Sequence, residues 1–319
     1  MKDHIFINLA LLFCFAGTLK STATQAQTAD SLLNPQVALF APGEIPTTAL
    51  RSAAPAFSAD GKTVLLGLSP GNDGISVMQS HLESGKWTVP ELPVFSGKYH
   101  DLEPVFSPDG KYLIFASNRP ATAGGAVIDG NYDGRKITGG GGNLWKIKYS
   151  KKEWGIPEIL PALINANNSV FSPAIAGDGS LYFMRADSGT KFHIYRAQMR
   201  HGKFEKPVPA SFTNYKYGDF DPAVAPDESF LVFSSPRPPA LPHTADLFIV
   251  FRGPKGWGDP IDLRLVLSEI VYGVEARLSP DHKTLYFSNS RDASGARNQN
   301  ASYIWKVDIS GILKAHGLD

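Results

Sequence analysis

The chain has 319 residues, of which 43% are hydrophobic and 19% charged, and its 31 basic and 30 acidic residues give a formal net charge of +1. This balance argues against a nucleic-acid-binding or membrane-surface protein, because both classes need a clustered excess of basic residues. The 30 glycines and 24 prolines interrupt the chain too often for a helical bundle, yet they are too few for a disordered chain.

The N-terminal segment has the pattern of a secretory signal peptide. Lys2 precedes an apolar run over residues 5–17, and small and polar residues follow it. We predict cleavage after Ala26, so that the mature chain is periplasmic or secreted. The single cysteine, Cys14, lies in the apolar run, and the mature chain should therefore hold neither a disulfide nor a cysteine metal site. No later apolar stretch approaches the roughly 18 residues that cross a bilayer.

Five copies of one short pattern recur along the rest of the chain. Each copy has an aspartate in a turn-like sequence such as Phe-Ser-Pro-Asp-Gly, and a β-prone apolar run follows it. The aspartates are Asp60, Asp109, Asp178, Asp227 and Asp281. Asp-Gly between two apolar runs predicts a β-hairpin, because both residues tolerate the positive φ of a tight turn.

Each unit continues with a third apolar run, and the first four then have an aromatic residue followed three positions later by proline. The third runs are residues 75–78, 144–149, 193–198, 247–251 and 303–307, and the aromatic residues are Trp87, Trp154, Phe204 and Trp257. Proline cannot donate to a central ladder, so this fourth strand should lie at a sheet edge. Four strands in about 50 residues are typical of a propeller blade.

The fifth unit has no such fourth strand, whereas residues 37–42 precede the first unit without a partner of their own. Closing a ring removes the free edges that an open array would expose. We therefore predict an all-β, five-bladed β-propeller with four-stranded antiparallel blades, closed by the N-terminal strand. The signal peptide should span residues 1–26 and the single propeller domain residues 27–319. The predicted blades are residues 52–100, 101–169, 170–218, 219–273 and 274–310, the last completed by residues 36–45.

The segment 106–119, Phe-Ser-Pro-Asp-Gly-Lys-Tyr-Leu-Ile-Phe-Ala-Ser-Asn-Arg, resembles the repeat of the TolB-type, WD-repeat-like β-propellers. The resemblance extends over residues 36–310 and implies the propeller fold. It leaves the function open, because scaffold proteins, peptidase propellers and polysaccharide-acting proteins share this hairpin motif.

Charged residues recur at fixed offsets from the repeated aspartate. Six residues before it stand Glu103, Asp221 and Glu275, and ten residues after it stand Arg119, Arg237 and Arg291. Equal offsets put residues at equal heights in each blade, so we expect each acid to lie beside the arginine of its own blade, on one face of the ring. Asp101 and Asp219 add two acids to that face.

Two interpretations of these charges stay open. The first is an ion pair within each blade, since a guanidinium binds a carboxylate with two parallel hydrogen bonds. The second is a funnel that binds a polar ligand, which makes the protein a binding module for a glycan, a peptide or an envelope partner. The alternative function is a glycoside hydrolase or lyase that uses funnel carboxylates and arginines, with paired carboxylates as general acid and base in the hydrolase. No nucleic acid is expected as a partner, and the oligomeric state is left open.

The second unit carries a glycine-rich insertion, residues 120–142, on the same face. Its residues Asp129, Asn131 and Asp133 have the alternation of a calcium-binding loop. The twelfth position of that loop is Gly140, so an EF-hand is excluded and calcium would need further ligands. A solvent-exposed loop is the other interpretation, and in both cases we expect the insertion to influence specificity. His100 and His243 lie on this face without metal-ligand spacing.

Overall fold

The computed structural model describes residues 37–45, 51–69, 76–187, 191–213, 215–240, 244–267, 273–292, 294, 296–297 and 301–318. The described strands form five antiparallel sheets of four or five strands, each one a blade of a ring, and two further two-stranded sheets. The five-bladed β-propeller predicted from the repeats is therefore confirmed. Residues 1–26, which the sequence predicts to be a signal peptide, lie outside the described residues.

The blades follow one another in chain order. After β1 (Ala38–Leu39), blade 1 contains β2 (Arg51–Phe57), β3 (Thr63–Ser69), β4 (Ser76–Glu83) and β5 (Lys86–Trp87). Blade 2 contains β6 (Asp101–Phe106), β7 (Tyr112–Ser117), β8 (Gly130–Tyr132), β9 (Arg135–Ile137), β10 (Asn143–Ser150), β11 (Glu153–Trp154) and β12 (Glu158–Ile159). Blade 3 contains β13 (Val170–Ile175), β14 (Leu181–Ala186), β15 (Phe192–Ala197), β16 (Met199–Arg200), β17 (Lys203–Phe204) and β18 (Val208–Pro209).

Blade 4 contains β19 (Phe220–Val224), β20 (Phe230–Ser235), β21 (Asp246–Gly253), β22 (Gly256–Trp257) and β23 (Ile261–Asp262), followed by helix α1 (Leu263–Val266). Blade 5 contains β24 (Val274–Leu278), β25 (Thr284–Asn289) and β26 (Tyr303–Asp308), followed by helix α2 (Ser310–Ala315). Neither of these described helices is long and apolar enough to cross a membrane.

The repeated aspartate organises the turn between the first two strands of a blade. In blade 1, Asp60 Oδ1 accepts hydrogen bonds from Ser58 Oγ (2.6 Å) and from the Lys62 amide (3.0 Å). The residue after the aspartate has a positive φ in every blade: Gly61, Gly110, Gly179, Glu228 and His282. The first three repeats place glycine where the left-handed conformation costs least, and this need explains the Asp-Gly pattern.

The outer edge of most blades is broken into two short strands. Trp154 lies in β11, which pairs with the end of β10, and after Pro157 the chain returns as β12 to pair with β10 again. Blade 4 repeats this arrangement with β22 and β23 against β21. The interruption follows from the missing N–H of proline.

The N-terminal strand closes the ring. In the antiparallel pair of β1 with β26, Leu39 faces Trp305, and the Phe40 amide donates a 2.9 Å hydrogen bond to the Ile304 carbonyl. The Phe40 ring then lies 5.4 Å from Tyr286 of blade 5 and 5.9 Å from Trp87 of blade 1. The predicted closure is confirmed, and these aromatic contacts join the last blade to the first.

The hydrophobic core consists of clusters between neighbouring blades. One cluster packs Val232 and Ile249 of blade 4 against Leu285 and Phe287 of blade 5, and similar clusters lie at the other interfaces. The innermost strands β2, β6, β13, β19 and β24 contact each other in this order, and β24 contacts β2. They surround a central channel.

Candidate functional site

The innermost strands have a β-bulge at the same height. The register with the second strand shifts between Leu102 and Val105 in blade 2, and equivalent shifts occur in the other four blades. A residue with a left-handed backbone lies inside the shift in four blades: Glu103 (φ 52°), Ser172 (φ 44°), Asp221 (φ 53°) and Glu275 (φ 61°). A bulge redirects a side chain out of the strand's alternation, and these four positions are the ones that stand six residues before the repeated aspartate.

Hydrogen bonds connect these four residues from blade to blade. The Ser172 amide donates to Glu103 Oε2 (2.6 Å), and the Ser172 hydroxyl donates to Asp221 Oδ1 (2.6 Å). The Glu275 amide donates to Asp221 Oδ2 (2.9 Å), and the Ser288 hydroxyl donates to Glu275 Oε2 (2.6 Å). These contacts hold the acidic side chains of blades 2, 4 and 5 together at one end of the channel. We name this group of four residues the acid ring: Glu103, Ser172, Asp221 and Glu275.

A cavity of about 470 Å³ opens at the acid ring. Its lining includes the three acids of the ring together with Asp133, Met184, Lys191, Phe192, Tyr217, Phe220, Pro236 and Val274. We name this cavity the funnel. Three of its residues are aromatic, and its acidic side chains outnumber the single lining lysine, so it favours a ligand with hydrogen-bond donors or positive charge.

Glu103 has an unusual proton affinity. Burial and, to a lesser degree, the nearby carboxylates of Asp221 and Glu275 together raise the pKa of Glu103 to about 8, while the Arg277 guanidinium and the Ser172 amide oppose the shift. The side chain is therefore mostly protonated at neutral pH, where it can donate a hydrogen bond as well as accept one.

Two of the predicted arginines form ion pairs inside their own blades. Arg119 Nη2 lies 2.6 Å from Asp101 Oδ1, and Arg237 Nη2 lies 2.6 Å from Asp219 Oδ1. In both blades the arginine Nε donates to a serine hydroxyl two residues earlier, from Arg119 to Ser117 and from Arg237 to Ser235. Burial raises the pKa of Asp101, although Arg119 opposes that shift. Arg119 and Arg237 therefore form ion pairs within their own blades, which is the first of the two interpretations given in the sequence analysis.

The pairing differs from the expected one in register. We expected Arg119 beside Glu103 and Arg237 beside Asp221, and this prediction is wrong, since the arginines bind the acids two residues earlier. The cause is the bulge, which turns Glu103 and Asp221 toward the funnel, whereas Asp101 stays in register opposite Ser117 and Asp219 lies just before β19. In blade 5, Gly273 occupies the position of these aspartates, and the Arg291 amide donates to Asn289 Oδ1 (2.9 Å).

The glycine-rich insertion folds as a β-hairpin of β8 and β9. Asp129 accepts a hydrogen bond from the Gly139 amide (2.8 Å) and lies 2.8 Å from the Lys136 ammonium, and these contacts lower the pKa of the Asp129 carboxyl. Asn131 faces Lys136 across the hairpin. Within the described parts of the chain, no group of three or more His, Cys, Asp or Glu side chains could hold a metal ion.

The hairpin instead contributes to the funnel. Asp133 at its turn is part of the funnel lining, and the neighbouring Tyr132 ring packs 5.3 Å from Phe192. The glycines that follow are required by close packing, because a Cβ on Gly141 would lie 2.7 Å from the Ile128 carbonyl oxygen. Of the two histidines noted in the sequence, His100 uses its backbone amide to bind Asn118 Oδ1, and His243 lies outside the described residues.

Sequence reasoning missed Arg277, Lys191 and Phe192. Arg277 had a signal, because it stands four residues before the repeated aspartate, where the other units have Ala56, Val105, Ala174 and Ala223. An arginine at a repeat position that is otherwise occupied by small apolar residues indicates a role that is specific to blade 5. Lys191 and Phe192 had no such signal, since they lie in a connection outside the repeat pattern.

Comparison with solved structures finds other propellers. The chain is similar to TolB from Acinetobacter baumannii, with 14% identity over 81% of this chain and 54% of that chain and a TM-score of 0.48. It is similar to a protein of unknown function from Dyadobacter fermentans, with 14% identity, 85% coverage of each chain and a TM-score of 0.47. A Trypanosoma rangeli sialidase in complex with the inhibitor DANA matches at 11% identity over 89% of this chain and 61% of that chain, with a TM-score of 0.43.

The chain spans about half the length of the TolB structure it matches. No protein-family model matches the chain, and a search of curated proteins finds no match. These are similarities of architecture, and the ligand of this chain has to be inferred from its own residues.

Proposed function

We propose that the chain is an exported, non-catalytic binding module whose funnel takes a basic segment of a partner protein. The observation that carries this proposal is the cavity at which Glu103, Asp221 and Glu275 meet from three blades. A ring that presents acids from separate blades around one concave site gives several carboxylates access to the same ligand. Export is part of the proposal and rests on the signal-like residues 1–26.

The chemistry of the lining supports a cationic ligand. Carboxylates accept hydrogen bonds from ammonium and guanidinium groups with the added strength of opposite charge. The rings of Phe192, Phe220 and Tyr217 offer apolar and π surface to the aliphatic part of a lysine or arginine side chain. A segment that inserts one or two basic side chains would satisfy both parts of the lining.

The structural acids and the funnel acids are different residues. Asp101 and Asp219 are fully buried and bound by arginines of their own blades, so they maintain the blade. Glu103 and Asp221 are held by backbone amides and a serine hydroxyl of neighbouring blades. Their positions are fixed while the cavity beside them stays open, and such preorganisation lowers the cost of binding.

A display selection with random peptides tests the proposal. Peptides enriched in lysine and arginine should bind the wild-type chain, and Asp221→Asn should weaken them by about tenfold or more, the loss of one charge-assisted hydrogen bond. The matched control is Asp109→Asn, which removes a carboxylate from a repeat turn. Selection of acidic or purely apolar peptides, or equal binding by the Asp221→Asn chain, would contradict the proposal. A parallel panel of neutral oligosaccharides would reveal a glycan ligand instead.

A second candidate is a glycoside hydrolase, and the specific observation that favours it is the pKa of Glu103, about 8, beside Asp221. A carboxylic acid that stays protonated at neutral pH next to a second carboxylate can act as a general acid. The candidate predicts release of reducing sugar from one member of a polysaccharide panel and loss of this activity in Glu103→Gln. Absence of activity on the panel together with binding of basic peptides would reject it.

A further inference from the structure

A second cavity lies at the other end of the channel. It has a volume of about 220 Å³ and is lined at its rim by residues of the repeat turns, among them Ala59, Pro108 and Pro280. Its walls are largely apolar and include prolines of all five blades: Pro55, Pro108, Pro173, Pro222, Pro226 and Pro280. We name it the turn-side cavity. Its lining has no residue in common with the lining of the funnel.

Most residues that line the turn-side cavity are apolar, and Arg277 adds a guanidinium to them. Arg277 is only 5% exposed, and its Nε has no hydrogen-bond partner among the residues that the structure describes. Its hydrogen bond runs from Nη1 to the Ala276 carbonyl (2.8 Å). A guanidinium has five N–H donors, and burial of a cation without a bound carboxylate is costly. Glu103 influences Arg277 electrostatically, but no ion pair within 4 Å joins them among the described residues.

We propose that the turn-side cavity is a binding site for a small carboxylate with an apolar body, whose carboxylate is bound by Arg277. A carboxylate matches the planar fork of a guanidinium and would engage the unpartnered Nε. The apolar body would pack against Phe57, Phe106 and Ile175 of the lining. The volume is below that of most sites for drug-sized ligands, so the ligand is a small molecule of the size of a single aromatic acid.

Benzoate is a suitable probe, and saturation-transfer NMR or calorimetry with the full chain measures its binding. Wild type should bind benzoate, whereas benzamide and inorganic phosphate should bind at least about tenfold more weakly, because the first lacks the charge and the second the apolar body. Arg277→Met should weaken benzoate binding by a similar factor. The matched control is Arg135→Met, which removes an exposed arginine from the β8–β9 hairpin and should leave binding unchanged.

A second variant, Ala59→Trp, tests the site even if Arg277→Met fails to fold. Ala59→Trp adds bulk at the rim of the turn-side cavity without touching the arginine, and it should reduce benzoate binding while the unfolding transition stays cooperative. The proposal is overturned if wild type does not bind benzoate, if phosphate binds as well as benzoate, or if neither variant changes the affinity. In those cases Arg277 serves only to balance the charge of the acid ring.

Discussion

Asp219 directly precedes strand β19 and Asp221 lies within it, yet the arginine of their blade, Arg237, binds Asp219. Asp221 instead joins Ser172 of blade 3 to Glu275 of blade 5. The same division recurs in blade 2, where Arg119 binds Asp101 and Glu103 accepts from the Ser172 amide. One position of the repeat therefore stabilises the blade, and the position two residues later faces the funnel.

The role of the Arg237–Asp219 pair predicts a large loss of stability in Arg237→Ala. Asp219 is fully buried, and removing its arginine leaves a carboxylate without its cation, which typically costs about 3–5 kcal/mol. Chemical denaturation with a fluorescence readout measures the free energy of unfolding. Arg135→Ala, a change at an exposed arginine, serves as the control with an expected effect within about 0.5 kcal/mol. An unaltered midpoint in Arg237→Ala would show that the pair is not structural.

The Ser172 hydroxyl should stabilise the acid ring. Ser172 and Asp221 are both buried, so Ser172→Ala leaves a carboxylate oxygen without its donor, and we expect a loss of about 1–3 kcal/mol in the free energy of unfolding. The same denaturation experiment on Ser150→Ala, where the serine is exposed, gives the baseline. Equal stability of the two variants would mean that the hydroxyl contributes nothing to the link between blades.

The raised pKa of Glu103 predicts how stability changes with pH. The unfolded chain has an ordinary glutamate pKa of 4.5, whereas the folded value is about 8, so the folded state retains a proton that the unfolded state has lost. The contribution of Glu103 to stability is therefore fully present below about pH 4.5 and is lost as the pH rises toward 8.

Glu103→Gln isolates this contribution. The difference in unfolding free energy between wild type and variant should change with a slope of up to about 1.4 kcal/mol per pH unit in this window, the value for one proton. Glu153→Gln, at an exposed glutamate, should give a flat difference. A flat difference for Glu103→Gln as well would contradict the raised pKa.

The repeat offsets predicted the ring, its closure and the height of the acids, because equal spacing from one turn gives equal positions in each blade. They failed for the arginine partners, since a bulge breaks the period of two on which the expected pairing depended. The bulge at Glu103 and Asp221 has no sequence signal of its own: both precede a proline, but proline alone does not predict a left-handed residue before it. Arg277 could have been predicted, because it is the one charged residue at a repeat position where the other units have Ala or Val. The positions of Lys191 and Phe192 could not, because they lie in a connection outside the repeat pattern.

The most direct test of the funnel as a site for basic segments is the pH dependence of binding by acetylated tetra-arginine amide. Arginine stays protonated throughout the range from about pH 6 to about pH 9, so any change in affinity comes from the protein. Ionisation of Glu103 adds a negative charge to the funnel, and we predict that wild type binds the peptide several-fold more tightly above about pH 8 than at about pH 6. The rise should be absent in Glu103→Gln, and Asp221→Asn should bind more weakly at every pH. A wild-type affinity that is independent of pH, or that survives unchanged in Asp221→Asn, would contradict the account.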